Sequence, residues 1–125
     1  MNRDELLAAA NELCRKHWGV DYTGDIELVN RRWTRTNGQF IFYGQSTQKI
    51  VMSRVRNAYR TREEILGTLL HELVHWRLLN LGQMGRDTDI SFIRECVRVG
   101  APISGAKNAQ NAYKRYLASL GRDSA

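Results

Sequence analysis

The chain has 125 residues, enough for one domain with a single core and too few for a second independent one. An apolar share of 42% with a lone proline argues against long disordered linkers, and no apolar run reaches membrane-spanning length. Lysine and arginine outnumber aspartate and glutamate by 19 to 13, a net charge of +6 that favours polyanionic partners or simply serves solubility.

The opening residues Met1-Asn2-Arg3-Asp4-Glu5 lead into a polar amphipathic segment with no signal-peptide core, so a cytoplasmic location is expected. A first helix is predicted over 5–17, with Leu6, Leu7, Ala10, Leu13 and Cys14 at helical spacing and Gly19 to end it. Residues 26–29 form a strand candidate. Residues 31–34 and 39–43 flank Thr36-Asn37-Gly38, and Asn-Gly is a strong hairpin signal. Residues 49–53 add a further strand.

Thr61-Arg62-Glu63-Glu64 is a capping box opening a helix that runs to about Leu81, with Gly82 as its stop. Asp89 or Ser91 begins another helix through Val99, halted by Gly100 and Pro102. A last helix over 106–120 carries Ala109, Tyr113, Tyr116, Leu117 and Leu120 on one side. The expectation is an α+β domain: a small, mostly antiparallel sheet of three or four strands packed with about four helices. Cys14 and Cys96 stand far apart with no second cysteine near either, which excludes a CxxC zinc ribbon and makes two buried free thiols the expected state.

The chemistry concentrates in His71-Glu72-Leu73-Val74-His75. Residues four apart project from one side of an α-helix one turn apart, so both imidazoles can reach one ion. Zinc suits them because it takes nitrogen and oxygen ligands tetrahedrally. Glu72, further round the helix, can instead take the proton of a water that the metal has brought to a pKa of about 7. The apolar neighbours Ile65, Leu66, Leu69, Leu70, Leu73, Val74, Leu78 and Leu79 cover most of the helix, so it is buried, and its imidazoles and carboxylate require partners. Gly67 and Thr68 leave room on the histidine face. A catalytic zinc needs a third protein ligand, and no histidine follows His75; the downstream donors are Asp87, Asp89 and Glu95. His17, beside Lys16 and Trp18, reads as a helix-end or surface residue.

At this point the sequence resembles the SprT-like (Spartan-type) metalloprotease family. The resemblance lies in Asn30-Arg31-Arg32, Asn37-Gly38-Gln39-Phe40, Leu66-Gly67-Thr68-Leu69-Leu70-His71-Glu72-Leu73-Val74-His75-Trp76, Asp87-Thr88-Asp89-Ile90-Ser91-Phe92 and Val99-Gly100-Ala101-Pro102, spanning residues 20–105. It implies a zincin-like fold, a bound Zn2+ and peptide-bond hydrolysis, in the best-known members on proteins bound or crosslinked to DNA. Anchored on Phe92 and Val99, the position of the family's third histidine falls on Asp87, so this chain offers a carboxylate where the family has an imidazole. Asp89 matches a position where the family often has aspartate and is the alternative ligand or a supporting residue. The zinc ribbon of some members is absent.

A DNA partner, single-stranded or at a junction, would be met by the hairpin arm Arg31, Arg32, Trp33 and Arg35 and by Arg54, Arg56, Arg60 and Arg62 before the zinc helix; Lys107, Lys114, Arg115 and Arg122 dot the last helix. Two functions compete. One is a zinc metallopeptidase with Glu72 as general base. The other is a zinc-stabilised basic DNA-binding module, for which Glu72 would be superfluous.

Overall fold

The computed structural model describes residues 1–83 and 85–123, the last two of these by backbone alone. They form five helices and one three-stranded sheet in the order α1 (Arg3–Trp18), β1 (Asp25–Val29), β2 (Gly38–Tyr43), β3 (Thr47–Ser53), α2 (Arg54–Asn57), α3 (Arg62–Asn80), α4 (Ile90–Val99) and α5 (Lys107–Asp123). The α+β expectation holds at that level.

Local signals set the helix ends. Asn2 caps α1 reciprocally with Glu5, and Thr61 caps α3 reciprocally with Glu64, the box read from the sequence. Gly82, at φ +75°, closes α3: its N–H reaches the Leu79 carbonyl at 3.0 Å while the Gln83 N–H reaches that of Leu78 at 2.8 Å. Gly100 ends α4 in the same left-handed conformation.

The sheet departs from expectation. Its order is β1-β3-β2, with β3 antiparallel to β2 but parallel to β1, so it is mixed and not mostly antiparallel. The Asn37-Gly38 hairpin does not form, and residues 31–34 are not a strand. The β2–β3 turn comes later, at Gly44 with φ +62°. The reason is tertiary: the backbone carbonyls of Arg31 and Trp33, which a hairpin would commit to a ladder, accept from Ser53 Oγ at 2.5 Å and Arg56 Nη1 at 2.7 Å. Those donors sit at the end of β3 and in α2, a short helix not foreseen from the sequence.

Alternation along the strands turns Ile26, Leu28, Phe40, Ile50 and Met52 to one side, where they pack with Leu6, Ala10 and Cys14 of α1 and with Ile65, Leu69, Leu73 and Trp76 of α3. A second cluster lies across α3: Leu70, Val74 and Leu78 against Phe92, Cys96 and Val99 of α4. Helix α3 therefore carries apolar residues on two sides because it sits between two cores. Cys14 and Cys96 are buried free thiols, and burial pushes Cys14 up to about 12. On α5, Ala109, Ala112 and Tyr116 are buried, Ala112 and Tyr116 packing with Ile93 of α4. Leu117 and Leu120, expected on the same packed side, are more than two-fifths exposed, because α5 meets only the narrow face that α4 offers. Among the described residues no helix is long and apolar enough to cross a membrane.

Candidate metal centre and active site

The side of α3 left between its two cores carries Thr68, His71, Glu72 and His75, and three segments converge on it. Residues 85–89 approach from beyond the helix end, residues 100–105 follow α4, and the start of β2 crosses over Glu72. His71 and His75 lie with their rings 5.2 Å apart, and ligand atoms of His71, Glu72 and His75 fall within 4.8 Å of one another. Phe92 of α4 underlies the pair, stacked on His75 at 3.9 Å and edge-on to His71 at 5.0 Å.

Each imidazole is oriented by a backbone carbonyl. Nδ1 of His71 donates to Pro102 O at 2.7 Å and Nδ1 of His75 to Gly85 O at 2.8 Å. A proton on Nδ1 leaves Nε2 as the lone pair of a neutral ring. Both Nε2 atoms then face one atom, Asp87 Oδ1, at 3.0 and 2.9 Å. Two lone pairs and a carboxylate oxygen repel one another unless positive charge joins them, as two imidazolium protons or as one cation. The same attraction appears in the titration of the groups. Burial disfavours a charged His71, yet the bonds to Asp87 and Cys96 and the charge of Glu72 overcome it and push His71 up to about 11. The two imidazoles hold Asp87 well below the ordinary carboxylate range.

Glu72 is oriented differently. It is 5% exposed, and its Oε2 is buried with no hydrogen-bond partner. Burial raises its pKa, as does Asp87, while the histidines pull the other way. A buried carboxylate oxygen without a donor is costly in an apolar core and useful where a proton is to be taken up.

The structure thus brings Asp87 to the two histidines and leaves Asp89 and Glu95 away from them. Asp89 is the N-cap residue of α4, but its carboxylate accepts from the Arg86 N–H at 2.8 Å and from the Arg86 guanidinium, which ties the turn that presents Asp87. Glu95 pairs with Arg98 and accepts from Trp18 Nε1 at 3.4 Å. His17 lies in the last turn of α1 beside Trp18, apart from the cluster.

No protein family, curated protein or solved structure matches this chain.

Of the basic residues, Arg31, Arg32 and Arg35 are exposed and Trp33 is half-buried on the loop of residues 30–37. Arg54 donates to Asn30 Oδ1 at 2.8 Å, and Arg56 spends its guanidinium on Asn37 Oδ1 and the Trp33 carbonyl, both at 2.7 Å. Both hold the loop in place. The side chain of Arg122 lies outside the described residues. Sequence reasoning assigned no role to Gly85, Pro102 or Phe92 in orienting the histidines. Backbone carbonyls leave no mark in a sequence, and Phe92 is indistinguishable from the apolar face of α4.

Two clefts flank the cluster. One, of about 560 Å³, runs along β2 past Phe40, Phe42, His75 and Leu79; the other, of about 600 Å³, runs between Arg60, Thr68 and residues 100–105. They share Thr36, Gly38, Glu72 and Asp87, and so form one groove across the site.

Proposed function

We propose that this chain is a zinc-dependent peptide hydrolase of SprT-like type, in which His71, His75 and Asp87 hold the metal and Glu72 moves the proton. The observation carrying this reading is the convergence of the Nε2 atoms of His71 and His75 on Asp87 Oδ1, an arrangement that one bound cation would satisfy. Two imidazoles and a carboxylate are a chemically complete ligand set for a catalytic zinc, and the ring N–H groups bound to Pro102 and Gly85 supply the outer contacts such ligands use. When bound, zinc supplies Lewis acidity, lowering the pKa of a water to about 7 and polarising a carbonyl.

The chain's own residues do the rest. Glu72, raised in pKa and with one oxygen free of donors, takes the proton of the attacking water and returns it to the leaving amine. The groove suits an extended polypeptide. It passes the site from one cleft into the other, and β2, an edge strand, offers it unpaired backbone groups. The resemblance over residues 20–105 supports the same assignment.

The exposed Arg31, Arg32 and Arg35 beside half-buried Trp33 favour a second element of the reading, a DNA partner held near the groove. A test treats the zinc-loaded protein with quenched fluorescent casein, with and without single-stranded oligonucleotide. Wild type releases fluorescence, while Glu72→Gln keeps its zinc and loses on the order of 10²–10⁴ in rate. Purified protein that takes up no stoichiometric zinc refutes the metal assignment. Tight oligonucleotide binding with stoichiometric zinc and no cleavage favours the binding module.

A further inference from the structure

The cleft between Arg60, Thr68 and residues 100–105 contains a guanidinium with no carboxylate bonded to it among the described residues. Arg60 lines this cleft together with Thr68, His71 and Glu72. Its Nη2 is pinned by two acceptors, Thr68 Oγ1 at 2.6 Å and the Glu64 carbonyl at 3.0 Å. Its Nη1 is buried with no partner. Among the described residues no carboxylate lies within ion-pairing distance of it, although Glu63 and Glu64 border the same cleft; Glu64 Oε1 accepts from the Thr61 N–H in the α3 capping box. Burial accordingly works against the Arg60 charge.

A guanidinium held in one pose, short of a partner, in the wall of a reaction cleft is arranged for an anionic group on the ligand. A single carboxylate suits the cleft better than a polyanion. Glu63, Glu64, Glu72 and Asp87 all border this cleft, and four carboxylates disfavour a polyanion such as a phosphodiester backbone inside it.

We propose that Arg60 is a specificity-determining residue of the groove, recognising a carboxylate of the polypeptide on the side of the scissile bond that lies against Thr68 and residues 100–105. This rests on the peptide-hydrolase reading. The carboxylate can come from an aspartate or glutamate side chain or from the chain's own C-terminus. An experiment separates these sources. Fluorescein-labelled octapeptides of alanine and serine carry one glutamate, moved position by position, or the isosteric glutamine, each with a free-acid or amidated C-terminus. Zinc-loaded wild type, Arg60→Gln and Arg60→Lys are assayed for kcat/KM. Binding to zinc-loaded Glu72→Gln, alone and combined with Arg60→Gln, is followed by fluorescence anisotropy, with thermal melts to verify folding.

Wild type is expected to prefer glutamate over glutamine by tenfold or more at one position, or the free acid over the amide, with Arg60→Gln erasing the ratio and Arg60→Lys retaining part of it. A purely structural role for Arg60 slows glutamate and glutamine peptides alike and leaves the ratio unchanged; that outcome overturns the proposal, as does a wild type with no preference in any register. If no peptide is cleaved yet Arg60-dependent discrimination persists in the anisotropy, the carboxylate subsite stands and the hydrolase reading falls.

Discussion

Asp87 and Asp89 sit two residues apart with the same side chain, and their surroundings give them different work. Asp87 directs one oxygen at two imidazole nitrogens, while Asp89 closes a turn by holding the backbone and guanidinium of Arg86. The sequence offers both as zinc donors, and spacing cannot choose between them, because the choice depends on how residues 85–89 turn back towards α3. Their removal should therefore differ in kind. On the proposed zinc reading, Asp87→Ala would delete a ligand and weaken zinc binding by more than about 100-fold. Asp89→Ala loosens only the support of that ligand and should cost about 10–100-fold, the range for outer contacts. Competition against a chromophoric chelator measures both, and equal losses in the two variants would contradict this division of labour.

At the scale of elements, the end of α1 at Gly19 and both ends of α3 were legible because their signals are local: a capping box needs four residues, and a left-handed glycine needs one; the Asn2–Glu5 box that starts α1 two residues before the expected Glu5 went unread. Asn37-Gly38 is the instructive failure. The pair reads as a hairpin turn, yet Gly38 has no positive φ, and the Asn37 side chain is held by Arg56, nineteen residues along the chain. Glycine is needed there for a different reason. A β-carbon at position 38 would lie 3.0 Å from Thr68 Cγ2 and 3.4 Å from Glu72 Cγ, so its absence lets β2 cross the helix that carries the site. Gly38→Ala should cost roughly 1–3 kcal/mol through overpacking. It should depress casein cleavage further by displacing Glu72, and leave zinc stoichiometry intact because the histidines face residues 85–89 and 100–103. Thermal melts, turnover and metal content of the variant, compared with Gln39→Ala on the same strand, check this. A variant with wild-type melting and turnover would show that the close approach of β2 to α3 has no consequence.

Across the whole molecule, α3 joins two cores, and the cluster of His71, His75 and Asp87 joins α3 to the least regular parts of the chain. The sheet and α1 core depends on apolar contacts with Leu6, Ile26, Ile50 and Leu69, whereas residues 85–89 meet α3 through His75, Asp87 and the approach of Gly85 to Leu78, and residues 100–105 through Ala101 and Ile103 on the smaller cluster of Leu70 and Val74 and the bond from His71 to Pro102. That asymmetry was not legible in the sequence, which marks the buried face of α3 but not which loops fold back onto it. On the proposed zinc reading, an ion bound there would fasten one end of the domain. With zinc at about 1,000 times its dissociation constant, linkage contributes about 4 kcal/mol to stability. For a domain of this size that corresponds to a Tm about 10–20 °C higher than after chelation. Hydrogen exchange should place the loss: chelation exposes amides of residues 85–89 and 100–103 first, while those of α1 and β3 stay protected because their contacts lie in the other core. A Tm indifferent to chelation, or protection lost uniformly along the chain, would mean that His71, His75 and Asp87 are held together by their own protons and not by a metal.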